Sequence, residues 1–169
     1  MATITGFYHI GMVANDPTAL AEFYRDVLGM TITGGSSADG PFGTTAFLSS
    51  RPEEEDHELA IFADARYQHL AFKVASLADL RAVYHQVVGR GIPIKLTMIH
   101  GCSLAFYFDD PEGNMIEVYW PTDLRNRQPY GERLDLEASD EDLIAQVARI
   151  ASGTGRSLPP AQAATDSTP

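Results

Sequence analysis

Four residues of this 169-residue chain have the types and surroundings that chemistry asks for: His9, His57, His69 and Glu117. Glu117 lies in the run Met115-Ile116-Glu117-Val118-Tyr119-Trp120, the second arm of a hairpin that turns at Asp110-Pro111-Glu112-Gly113-Asn114. Pro111 suits the first central position of the turn and Gly113 its left-handed residue. Counting outward from Asp110 and Asn114 sets Tyr107 opposite Glu117, on the same face of the sheet. A carboxylate in the middle of an apolar strand needs a cation or a proton partner. Histidine and carboxylate on adjacent strands are ligands for a divalent first-row metal. Two histidines and one carboxylate on one face leave three octahedral positions open, which suits non-haem Fe(II), with Mn(II) its usual look-alike. Residue types alone leave two other arrangements open: a four-coordinate set that includes His57, and histidines satisfied by backbone carbonyls without a metal.

The elements that would position these residues follow from periodicity. Residues 4–13 read as a strand. Asp16 then caps a helix that has Pro17 in its first turn, Leu20, Phe23, Tyr24, Val27 and Leu28 at helical spacing, and Gly29 after it. Short strands are expected at Met30–Thr33, Thr44–Leu48 and Glu58–Phe62, separated by glycine- and charge-rich loops. Residues 67–74 resume as a strand, and Ser76 caps a second helix with Leu80, Val83, Tyr84 and Val87 on one face. Ile92–Leu96 and the two arms of the hairpin complete the series. The run Glu53–Asp56 reads as a solvated loop, His85 as an exposed helix residue, and Cys102 as core.

An internal repeat organises the list. An offset of 60 relates His9 to His69, Leu20 to Leu80, Tyr24 to Tyr84, Val27 to Val87 and Gly29 to Gly89. Two copies of a strand, helix and three-strand unit therefore fill about residues 4–63 and 64–120. The expected class is α+β: two paired βαβββ modules forming a curved mixed sheet around a metal cleft. The same offset takes Glu117 to His57. His9 and His69 as repeat mates, with Glu117 as the ionised oxygen donor, are the assigned metal ligands, which leaves His57 for a second role.

The stretches Phe7-Tyr8-His9-Ile10, Phe23-Tyr24-Arg25-Asp26-Val27-Leu28-Gly29, Gln68-His69-Leu70-Ala71-Phe72 and Asp110–Glu117 resemble the vicinal oxygen chelate superfamily. That superfamily includes glyoxalase, bleomycin-resistance and extradiol dioxygenase proteins. The resemblance is greatest to one-domain type I extradiol ring-cleavage dioxygenases. It implies Fe(II), or Mn(II), held by His9, His69 and Glu117. It also implies His57 as the acid/base histidine, Tyr107 hydrogen-bonding the bound substrate, and His100 positioning its hydroxyl. Glyoxalase-type members generally supply an acidic ligand where this chain has His57. The implied partners are a small aromatic diol and O2. Two other activities stay in view: a metal-dependent glyoxalase, thiol transferase or isomerase, and a metal-free aromatic-binding resistance protein.

Composition bounds the rest. A formal charge of −11 argues against nucleic acid or an anionic membrane as partner. No apolar run approaches the roughly 20 residues of a membrane span. The first residues lack the pattern of a signal peptide, and the single cysteine excludes an internal disulfide, so the cytoplasm is the expected location. The expected domain spans residues 1–125. Residues 126–152 should form an extended arm and a short helix capped at Ser139, lying over the cleft or docking on a neighbouring subunit of a homo-oligomer. Residues 153–169 read as a disordered tail.

Overall fold

The computed structural model describes residues 3–122, 124 and 129–151; the expected tail lies outside them. The first module is β1 (Gly6–Val13), α1 (Pro17–Leu28), β2 (Thr31–Ser36), β3 (Thr45–Ser49) and β4 (Leu59–Phe62). The second is β5 (His69–Lys73), α2 (Leu77–Gly89), β6 (Ile94–Ile99), β7 (Ser103–Asp109) and β8 (Met115–Pro121). Two elements follow, β9 (Glu132–Arg133) and α3 (Asp140–Ala151). The nine strands of the described residues form one mixed sheet in the order β2-β3-β4-β1-β5-β8-β7-β6-β9.

Local chemistry sets the ends of the elements. The Asp16 carboxylate accepts from the Ala19 amide at 3.0 Å, Pro17 opens α1, and Gly29 closes it in the left-handed conformation at φ 71°. Ser76 caps α2 through the Asp79 amide at 3.0 Å. In the hairpin, Asp110 N–H donates to the Asn114 carbonyl at 2.9 Å, Gly113 has φ 83°, and Tyr107 stands opposite Glu117, as the sequence predicts.

The two modules meet where β1 and β5 pair antiparallel, with His9 opposite Ala71 and Gly11 opposite His69. Exchanging the modules exchanges these two pairs, so an approximate twofold axis passes between them. The sequence offset of 60 does not hold through the last strands. Gly11 pairs with Ala60 on β4, whereas Ala71 pairs with Glu117 on β8. The structural mate of Glu117 is therefore Ala60, and His57 lies three residues ahead of it, in the loop before β4. The same drift appears at the helix ends: α2 runs through Gly89, and Gly91, at φ 73°, takes the left-handed position.

The outer face carries most of the core. Leu80 and Val87 of α2 pack with Leu104, Phe106 and Val118, and α1 covers Ala46, Leu48 and Ile61. Alternation along β7 sends Leu104 and Phe106 into this layer and Tyr107 into the cleft. The helix α3 does not lie over the cleft. Leu143, 2% exposed, and Ile150, 6%, join the same outer cluster beside α2, so the helix packs on its own second module. Arg81 of α2 ties the segment ahead of α3 by donating to the Leu136 carbonyl at 2.9 Å, to the Ala138 carbonyl and to Asp140. Among the described residues no helix is long and apolar enough to cross a membrane.

Candidate metal centre

A bulge in β1 prepares the first site residue. The register with β5 shifts between Phe7 and His9, so Tyr8 and His9 both reach the inner face while Phe7 stays outside, 55% exposed. His69 follows a 3-10 turn, Ala65–Tyr67, and its Nδ1–H donates to the Tyr67 carbonyl at 2.7 Å. That bond commits Nε2 to the cleft. Gly11 makes room for the ring: a Cβ there would lie 2.3 Å from His69 Nδ1.

The three assigned ligands converge. His9 Nε2 and His69 Nε2 are 3.0 Å apart, and each is 3.1 Å from Glu117 Oε2. All three residues are buried. Three ligand atoms this close together could hold one metal ion. Burial alone would raise the Glu117 carboxyl, but the charges and hydrogen bonds of His9 and His69 outweigh it and hold it well below the usual range. Burial, with His57 nearby, pushes His9 down to about 3. For His69 burial works against the proton, and Glu117 overrides it, so the net direction is upward. A cation would take the place of the proton that His69 and Glu117 hold between them.

The remaining predicted residues surround this triangle. His57 reaches the cleft from its loop, its ring centroid 4.4 Å from that of His9, and its Nδ1–H donates to Asp56 Oδ2 at 2.8 Å. Tyr107, 7% exposed, has its hydroxyl 2.9 Å from His100 Nε2, and burial with Glu117 alongside raises the phenol well above its usual value. The sequence reading misses Asp56, which it places in a solvated run. It also misses Glu55, whose carboxylate pairs with Lys73 at 3.0 Å and is only 12% exposed. Asp56 and Glu55, one and two residues ahead of His57, carried the signal, and the sequence does allow the run to sit near the cleft mouth because His57 follows directly. Cys102 is a further correction: it lines the cavity rather than filling the core. Burial and the Asp56 charge push its thiol up to about 12. His85 is exposed, as expected.

The triangle opens onto a cavity of about 490 Å³. Phe42, Phe47, Phe62 and Tyr67 form an aromatic wall on one side, and Leu96, Met98 and Met115 lie among the residues of the other. Such a space suits a flat apolar molecule with a polar end at the ligands.

Residues 6–118 match the Glyoxalase/Bleomycin resistance protein/Dioxygenase superfamily, and the chain belongs to that family. Over 122 residues it is 30% identical to biphenyl-2,3-diol 1,2-dioxygenase 3 of Rhodococcus globerulus, which covers 65% of this chain and 60% of that protein. It resembles the 2,3-dioxygenase LapB of Pseudomonas sp. KL28 with a TM-score of 0.61 at 18% identity, over 78% of this chain and 46% of the other. The Mn(II)-bound glyoxalase of Novosphingobium aromaticivorans matches with a TM-score of 0.60 at 17% identity, over 91% and 53%. The chain thus spans about half to three-fifths of the length of these relatives, and the structural likenesses concern the fold.

Proposed function

We propose that this chain is an Fe(II)-dependent extradiol dioxygenase that opens the ring of a catechol-type aromatic diol with O2. The observation that carries the reading is the convergence of His9, His69 and Glu117, the group among the described residues that could hold a metal. Ala60, the structural mate of Glu117, supplies neither a fourth ligand nor a base, so the cavity side of the metal stays open to substrate. When bound, the metal supplies adjacent open positions and the redox capacity to bring a diol and dioxygen together. The protein's own groups then manage protons. Asp56 holds the proton on His57 Nδ1, leaving Nε2 to accept one from a diol hydroxyl and return it as the ring opens. Burial keeps Tyr107 protonated, and with its hydrogen held by His100 Nε2 its oxygen accepts from a diol hydroxyl. The 30% identity to a biphenyl-diol dioxygenase supports an aromatic diol, and the apolar cavity walls agree with it.

Anaerobic reconstitution with Fe(II), followed by catechol or an aryl catechol and then oxygen, tests the reading. The expected result is a yellow ring-fission product with one O2 consumed per ring opened. Absence of chromophore and of O2 uptake across simple, alkylated and aryl diols would falsify it. An O2-independent turnover supported equally by Mn(II) or Ni(II) would point instead to a glyoxalase- or isomerase-type reaction.

A further inference from the structure

The hydrogen bonds that fix His100 lead out of the family-matched part of the chain. Its Nδ1–H donates to the Tyr130 carbonyl at 2.7 Å, twelve residues beyond the end of the match at 118. Tyr130 in turn donates its hydroxyl to Glu132 Oε1 at 2.5 Å, and Arg149 of α3 donates to Glu132 Oε2 at 2.6 Å. Glu132 is 9% exposed and pairs on β9 with Ile99, the neighbour of His100. The other side of His100 faces Tyr107, which lies beside Glu117. A continuous series of polar contacts therefore joins a metal-ligand carboxylate to a helix on the outside of the molecule.

The direction of one proton depends on this series. Tyr107 has a single hydroxyl hydrogen and two acceptors within reach, His100 Nε2 and Glu117. While His100 keeps its proton on Nδ1, Nε2 is an acceptor and draws the Tyr107 hydrogen away from Glu117. If the Tyr130 carbonyl moved, the other tautomer would put N–H at Nε2. The Tyr107 hydrogen would then turn to Glu117 and compete with the metal for the carboxylate. We infer that the C-terminal arm is a working part of the site, with Arg149 a positioning residue that holds His100 in its Nδ1–H tautomer through Glu132 and Tyr130.

The inference rests on the proposed activity only for its kinetic readout. The first measurement is the tautomer of His100, by nitrogen NMR of the full-length chain without metal. Wild type and Arg149→Lys should show the Nδ1–H form, and Arg149→Met a mixture. The second measurement is kcat/KM with catechol in the iron-loaded chain. Arg149→Met should lower it by about tenfold, within the range for residues that orient a site, with weaker retention of iron, and Arg149→Lys should stay close to wild type. A wild-type tautomer in Arg149→Met overturns the inference, as does a changed tautomer with kcat/KM within about twofold of wild type. If wild type turns over no diol, the proposed reaction fails and the tautomer comparison alone decides this point. Should Arg149→Met not fold, Tyr130→Phe keeps ring and carbonyl but removes the hydroxyl, and the same readouts apply.

Discussion

Gly11 makes no bond in the site, yet a methyl group there would overlap the ring of His69. Gly11→Ala must displace both that ring and the Tyr67 carbonyl that orients it. Metal affinity, by titration of the apo chain, should fall at least about tenfold with circular dichroism unchanged. Unaltered affinity would show that the ring has room to move. His57→Ala is expected to behave the opposite way: full metal content, with ring-opening turnover reduced by about a hundredfold or more, since a general acid/base is lost. A variant arriving without metal would make His57 a ligand. The metal-free cluster also sets a pH dependence. His9 is pushed from 6.5 to about 3 on folding, so below pH 6.5 the unfolded chain binds more protons and stability is lost as pH falls. Glu117, held below 4.5, adds to the loss at lower pH, while the raised His69 acts in the other direction above 6.5. The thermal midpoint of the metal-stripped protein should therefore drop between pH 6.5 and 4.5. A flat profile there would contradict this assignment of charges. At this scale the three buried residues that converge were legible because His9 and His69 are repeat mates and Glu117 interrupts an apolar strand. Tyr130 and Lys73 were not, because their partners lie 30 and 18 residues away in sequence, beyond any local pattern.

Among the elements, the loop from Ser50 to Glu58 has the most demanding task, since it presents His57 without the support of a strand. Two sets of contacts hold it. Arg51 pairs with Glu58 at 3.0 Å, and Glu58 accepts from the Ser50 amide at 2.6 Å. At the inner side, Lys73 on β5 pairs with Glu55 while its ammonium sits 4.1 Å from the centre of the Tyr8 ring. Lys73→Met keeps the length of the side chain and removes the charge, leaving the Glu55 carboxylate largely buried without that partner. The expected outcome is lower kcat with metal retained and a destabilisation of about 1–3 kcal/mol in urea unfolding. Turnover equal to wild type would mean the loop is held by Arg51 and Glu58 alone. The sequence marks the helices well, because caps and apolar stripes are local signals. It misplaces His57 by applying one offset to both modules. The segment between β3 and β4 is not the length of its counterpart between β7 and β8, a difference that only strand pairing reveals.

For the molecule as a whole, the arm is the part that the sequence describes least well. Its helix is signalled by the Ser139 cap, but a cap does not say which surface the helix will meet. Here it meets α2, and the outer core of the second module includes Leu134, Leu136 and Leu143 as full members. Leu143→Ala should therefore cost about 2–4 kcal/mol, seen as a lowered urea midpoint for the entire cooperative transition. A separate early transition confined to the arm would show that α3 folds apart from the domain.

The two residues of β9 have a consequence for how copies of this chain behave towards each other. Without them β6 would be a bare outermost strand of six residues, Ile94–Ile99, with unpaired amides and carbonyls facing water. Such a border invites a neighbouring polypeptide to add itself by backbone pairing. Three features discourage that here. β9 pairs with Met98 and Ile99, the register slips between Ile94 and Leu96, and the ammonium of Lys95 lies beside the open section. The segment that reaches His100 thus also covers part of one border of the sheet, while β2 remains the outermost strand at the other.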